Sequence, residues 1–167
     1  ALKPSWKVME GDDIEPFLEF VETTLFPTFS NRDAAWANEL TLKTLFLALL
    51  WNDAGYITYS ETELDHRYAD LCLLRRPDAR SSTLKDLLFE LKRIPLKTLG
   101  LSGEQVKKAS RTELLELEPV RDALDRATEQ LAEYAASLER RHGKALDLRS
   151  WAVVGLGFER LVARSVD

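Results

Sequence analysis

Apolar residues recur at helical spacing from Ile14 through Phe17, Phe20 and Val21 to Leu25, behind Gly11-Asp12-Asp13 and ahead of Pro27. That pattern predicts a helix over 12–27, capped by aspartate and stopped by proline. Ser30-Asn31-Arg32-Asp33 marks a second start. The helix it opens carries a wide apolar face of Leu42, Leu45, Phe46, Leu49 and Leu50, and ends near Asn52-Asp53-Ala54-Gly55. The period then changes. Tyr56-Ile57-Thr58-Tyr59, β-branched and aromatic, reads as a strand, the polar stretch from Glu61 to His66 as a turn, and 67–74 as a second strand. Pro77 to Thr83 reads as a polar, mobile loop, and 85–93 as a third strand.

Strands two and three are apolar on both faces, with Leu71 and Leu73 against Cys72 and Leu74, and Phe89 and Leu91 against Leu88. Such strands need cover on both sides, which predicts a sheet flanked by helices. After Pro95 come short helical pieces, one opened by the capping-box pattern Ser110-Arg111-Thr112-Glu113. A long helix over 119–141 follows, striped by Val120, Leu124, Ala127, Leu131, Tyr134 and Leu138, with Gly143 as its stop. Trp151-Ala152-Val153-Val154-Gly155-Leu156 is a buried strand, and 160–166 a last edge strand. A right-handed helical crossover would set strand three and the Trp151 strand parallel. The expectation is an α/β sandwich around a central mixed sheet flanked by helices. It forms one domain over 1–167, with its core at 33–166 and no internal repeat or linker.

Composition narrows the function. With 167 residues, 45% apolar and 31% charged, the chain can bury a core without staples. A single cysteine, Cys72, excludes an intramolecular disulfide and a Cys-cluster zinc site. It suits a reducing compartment, so an intracellular location, cytoplasmic or nuclear, is expected. No apolar run spans a bilayer, and the first residues lack the apolar core of a signal peptide, so no membrane partner is expected. The chain begins with Ala1, which suggests a segment of a longer protein. A net charge of −5 counts against nonspecific nucleic-acid binding. Yet Arg75, Arg76, Arg80, Lys85, Lys92, Arg93, Lys97, Lys107, Lys108 and Arg111 crowd the middle third, either as a basic rim or as a solvated face. Walker and Rossmann loops are absent, Gly155-Leu156-Gly157 lacking the third glycine, and no nucleophile elbow appears. His66, in a turn, and His142, at a helix end, lack metal-ligand spacing.

The candidate chemistry is acidic and basic at once. Asp70 stands in the apolar second strand, while Glu90 and Lys92, two apart on the third, share one face. Charges on a buried face are costly unless paired or bound to metal. The choice is therefore between an active site and a structural ion pair. Glu39 falls three residues before Leu42 and seven before Phe46, on the helix face turned to the sheet. It is either a site acid or a first-turn glutamate favoured by the helix dipole. Gln130 and Tyr134, four apart, share a face of the long helix, where a tyrosine on an apolar stripe can equally be core.

Asp70 followed by Glu90-X-Lys92 resembles the PD-(D/E)XK nuclease superfamily, with Ala69 where the naming proline stands. The resemblance implies a restriction-endonuclease-like fold and hydrolysis of phosphodiester bonds in DNA. It implies Mg²⁺ or Mn²⁺ held by Asp70, Glu90 and the backbone carbonyl of Leu91, with Lys92 orienting water or stabilising charge on the scissile phosphate. Glu39 matches the acid of the first core helix in these nucleases. Gln130-X-X-X-Tyr134 resembles an accessory motif of the RecB-like branch. The phrases Arg67-Tyr68-Ala69-Asp70-Leu71, Leu88-Phe89-Glu90-Leu91-Lys92 and Glu129-Gln130-Leu131-Ala132-Glu133-Tyr134, with the strand from Trp151 to Phe158, are similar to a nuclease-like family found C-terminal to ATPase-like domains. An ATPase-like domain in the full-length protein is thus an implied partner, beside DNA as substrate. The alternative is a catalytically inactive nuclease-like interaction module within a larger multidomain protein, since fold and chemistry are separable.

Overall fold

The structure, a computed structural model, describes residues 3–29, 32, 36–64, 67–80 and 82–166. Its centre is a five-stranded mixed sheet in the order β1-β2-β3-β4-β5, which is also the chain order. The strands are β1 (Tyr56–Leu64), β2 (Arg67–Arg75), β3 (Asp86–Ile94), β4 (Leu148–Leu156) and β5 (Arg160–Val166). β3 and β4 are parallel, and every other neighbouring pair is antiparallel. The parallel pair is joined, as expected, through the long helix α7 (Glu118–His142), reached by way of the short helices α4 (Leu96–Leu99), α5 (Gly103–Lys108) and α6 (Arg111–Leu115). α5 and α6 both open with reciprocal capping boxes, at Ser102 with Gln105 and at Ser110 with Glu113.

One face of the sheet is covered by α1 (Pro4–Met9), α2 (Glu15–Phe20) and α3 (Glu39–Leu50). An aromatic chain runs through that layer. Phe17 meets Phe46 edge-on at 5.0 Å, Phe46 meets Phe89 at 5.8 Å, and Phe89 stacks on Trp151 at 5.6 Å. The other face is covered by α7, whose predicted stripe from Val120 to Leu138 is buried against Cys72, Leu88, Ala152 and Val154. Double-sided burial explains the near-continuous apolar β3 and β4. It also explains why Cys72, its thiol pushed up to about 12 by burial with the Asp86 charge adding, behaves as a small core residue.

Several boundaries differ from the sequence expectation. The first helix does not run evenly over 12–27. Asp13 Oδ1 accepts the Glu15 N–H at 2.9 Å and opens α2, which continues as a π-helical turn, Val21–Leu25, and a 3-10 turn, Phe26–Thr28. α1 was not anticipated, because its six residues are too short for a periodic signal, although Pro4 sits at its first turn. The second-helix start at Ser30–Asp33 lies, apart from Arg32, outside the described residues. The described helix begins at Glu39, where Asn38 and Thr41 cap each other. β1 extends to Leu64 instead of ending at Tyr59. As an edge strand it accommodates polar residues, and Thr62 and Glu63 pair with Ala69 and Tyr68. His66 and the turn lie outside the described residues. The polar loop contains a 3-10 turn, Pro77–Ala79.

Candidate active site

The ladder between β2 and β3 is short: Leu73↔Leu87, Cys72↔Leu88 and Leu71↔Phe89, and no further. Extending that register would set Asp70 opposite Glu90, at the first position where the strands part. There the Asp70 carboxylate replaces the missing backbone partner, its Oδ2 accepting the Leu91 N–H at 2.7 Å. The N–H and C=O of a strand residue emerge on the same edge, so the Leu91 carbonyl also points into the fork. Alternation along β2 breaks at this point. Leu71 and Leu73 belong to the α3-side core, but Ala69 belongs to the α7-side core. The kink turns Asp70 into a cleft of about 430 Å³ that it shares with Asn38, Glu39, Leu40, Lys43 and Leu91.

Glu90 and Lys92 project on the α7 side of β3. Glu90 is 4% exposed, and its Oε1 lies 2.9 Å from Lys92 Nζ. Burial pushes the Glu90 carboxyl up, the Lys92 hydrogen bond opposes this, and the Asp70 charge adds to it. For Lys92, burial acts downward, but the hydrogen bond and charge of Glu90, with the charges of Asp70 and Glu39, outweigh it and hold the ammonium above its ordinary value.

These shifts carry a stability prediction. A carboxyl whose pKa is higher in the folded than in the unfolded chain contributes stability that is complete below the unfolded value of about 4.3 and is lost as pH rises through the folded value. Where Glu90 is charged it therefore weakens the fold. Glu90→Gln should raise stability at pH 7 by about 1 kcal/mol, a usual yield for relaxing a functional site. It should bring no gain at pH 4. Lys92, partly exposed, can be hydrated when its partner is neutral. Thermal unfolding at the two pH values checks this, and a loss at pH 7 would mean that pairing outweighs burial.

Glu39 stands in the first turn of α3, and its Oε1 accepts the Arg93 N–H at 3.4 Å. It lines both the Asp70 cleft and a second one of about 300 Å³, formed with Lys92, Arg93, Ile94, Ala123, Arg126 and Gln130. Asp70, Glu90, Leu91, Lys92, Glu39 and Gln130 thus gather at one end of the fork. Tyr134 does not reach either cleft: at 1% exposure it belongs to the core beneath α7, with Ala69, Cys72 and Leu88. Arg126 was missed in the sequence. Its signal is the four-residue spacing to Gln130, which puts both on one helix face.

Several of the basic residues of the middle third are engaged in ion pairs. Arg75 pairs with Asp86, Arg76 with Asp53, Lys85 with Asp147, Lys107 with Glu159, and Arg111 with Glu15 and Glu22. These charges are neutralised within the fold, because each has a carboxylate brought beside it by distant sequence. The cations that line the two clefts at the fork are Lys43, Lys92, Arg93 and Arg126.

The donors at the fork suit a hard divalent cation. Asp70 and Glu90 each bring a carboxylate to the fork, and the Leu91 carbonyl points into it. Among the described residues no group of three or more His, Cys, Asp or Glu side chains forms a ready-made cage. Mg²⁺ characteristically uses one or two carboxylates and completes its shell with water and substrate phosphate. No described helix is long and apolar enough to cross a membrane. Compared with known protein families, with curated proteins and with solved structures, the chain matches none of them.

Proposed function

We propose that this chain is a metal-dependent nuclease domain of PD-(D/E)XK type, with a restriction-endonuclease-like fold, that hydrolyses phosphodiester bonds in DNA. The observation that carries the reading is the fork itself: Asp70 bonds the Leu91 amide where the β2–β3 ladder stops, next to the buried Glu90–Lys92 pair. Asp70, Glu90 and the Leu91 carbonyl would hold Mg²⁺ or Mn²⁺, which when bound supplies Lewis-acid polarisation of the phosphate and a more acidic water. Glu90 holds the Lys92 ammonium in place at 2.9 Å. Lys92, 30% exposed along its side chain, can present that charge to the scissile phosphate and stabilise the negative charge that grows there. Glu39 fixes the Arg93 backbone and borders the cleft. Gln130 offers an amide to the strand from α7, and Tyr134 supports the site through packing. The same reading implies an intracellular location and an ATPase-like domain as partner.

The test is Mg²⁺- and Mn²⁺-dependent cleavage of linear and closed circular DNA, beside Lys92→Ala. Cleavage by the wild type, reduced about 10²- to 10⁴-fold in Lys92→Ala, is expected. Cleavage indifferent to Lys92 overturns the assignment. A second reading, an inactive nuclease-like interaction module, is favoured by the exposed apolar side chains Trp36, Leu40 and Trp51. It predicts no metal-dependent cleavage and no heat of Mg²⁺ or Mn²⁺ binding that Asp70→Asn abolishes.

A further inference from the structure

Arg93 follows Lys92 on β3, and Arg126 stands four residues before Gln130 on α7. Both line the cleft of about 300 Å³ beside the Glu90–Lys92 pair. They differ from arginines such as Arg75, Arg76, Arg111 and Arg160, each paired with a carboxylate. Among the described residues no carboxylate forms an ion pair with either Arg93 or Arg126. The Arg93 guanidinium lies 5.0 Å over the Phe158 ring, and its Nε is buried without a hydrogen-bond partner. Burial also pulls its pKa down, with the Glu39 charge opposing. An arginine held this way has donors that the fold itself does not use. The opposing charge in the cleft is a single carboxylate, Glu39, and Lys92 is already engaged by Glu90.

Arg93 also lines a larger cleft of about 980 Å³, with Phe29, Phe158, Lys107, Glu19, Glu22 and Glu159 among the walls. It thus stands between the two. A guanidinium fork matches a phosphate bidentately, and two of them flanking one cleft favour a polyanion with phosphates at regular spacing.

We infer that Arg93 and Arg126 clamp a backbone phosphate of the substrate strand next to the one presented to Lys92, so that the polynucleotide leads over Arg93 into the larger cleft. They are positioning residues. The identity of the strand rests on the nuclease reading, but its binding is measurable without cleavage.

The experiment is fluorescence anisotropy of a labelled oligonucleotide, single-stranded and duplex, in metal-free buffer over a series of salt concentrations. Wild type, Arg93→Gln, Arg126→Gln, the double variant and Arg93→Lys are compared, each checked for folding by circular dichroism. Each single Gln variant should bind about tenfold more weakly. Each should also flatten the dependence of log affinity on log salt by about 0.7 to 0.9, one phosphate contact, and the double variant by about twice that. Arg93→Lys should restore the salt slope but only part of the affinity, because an ammonium is a point charge without the fork. Unchanged affinity and slope in the double variant, or no binding by the wild type, overturns the clamp. Arg126 is exposed on a helix, so its variant decides the matter even if Arg93→Gln fails to fold. Binding that depends on both arginines without metal-dependent cleavage would sink the nuclease reading alone. Cleavage with arginine-independent binding would sink the clamp alone.

Discussion

Asp70→Asn should abolish metal-dependent cleavage, by about 10³-fold or more, while leaving the fold nearly as stable as before. The two halves of this expectation come from the two oxygens of one side chain. Oδ2 accepts the Leu91 N–H at 2.7 Å, a structural duty that the asparagine carbonyl can take over in the same rotamer. Oδ1 is the proposed metal ligand, and an amide nitrogen in its place donates where a ligand must accept. The charge lost also removes half of the carboxylate pair at the fork, so a hard cation is held by one acid where two are needed. Asp70 is only partly buried, which limits the stability cost to the usual surface range of about ±0.5 to 1 kcal/mol. Cleavage assays with a matched thermal melt separate the outcomes. Activity retained in Asp70→Asn means that the carboxylate serves the fork alone. A collapse in melting temperature together with activity means that the bond to Leu91, and not the proposed ligand, is what the variant reports.

Much of this site was legible before the fold was known, and the reason is periodicity. Strands buried on both faces leave no room for charge, so Asp70, Glu90 and Lys92 stood out against Leu71, Leu88, Phe89 and Leu91. The α7 stripe was equally plain, since 25 residues give the 3.6 period time to declare itself. What stayed hidden depended on long-range pairing. Nothing local tells that Asp86 will neutralise Arg75 and Asp147 will neutralise Lys85, so the basic middle third looked freer than it is. Nor could spacing distinguish Tyr134 as core from Tyr134 as a site residue. Its neighbours Ala69, Cys72 and Leu88 come from strands far earlier in the chain. The extension of β1 escaped notice for a different reason: an edge strand carries polar residues that on a central strand would signal a turn.

Glu22→Ala should cost about 3 to 5 kcal/mol of stability, because it strips Arg111 and Arg160 of the one buried acid they share among the described residues. The π-helical turn carries Glu22 inward until its side chain is 7% exposed. Its Oε1 accepts the Leu161 N–H at 2.7 Å and Arg111 Nη1 at 2.5 Å, and lies 3.2 Å from Arg160 Nε. One carboxylate therefore ties the α2 extension to the start of β5 and to α6, the wall of the larger cleft. Alanine leaves an amide without its acceptor and two largely buried guanidinium groups short of their counter-charge, the situation in which breaking a pair costs most. Glu15 provides the internal comparison, for it pairs with the same Arg111 while its side chain is 51% exposed. Water screens that contact, so Glu15→Ala should cost about 1 kcal/mol or less. At about 2 to 4 °C per kcal/mol for a domain of this size, the two variants should melt several degrees apart. Equal melting temperatures would show that the Arg111–Glu22–Arg160 network is as screened as the surface pair. Glu22→Leu sharpens the test: if desolvation of the orphaned arginines dominates, filling the volume recovers only a small part of the loss.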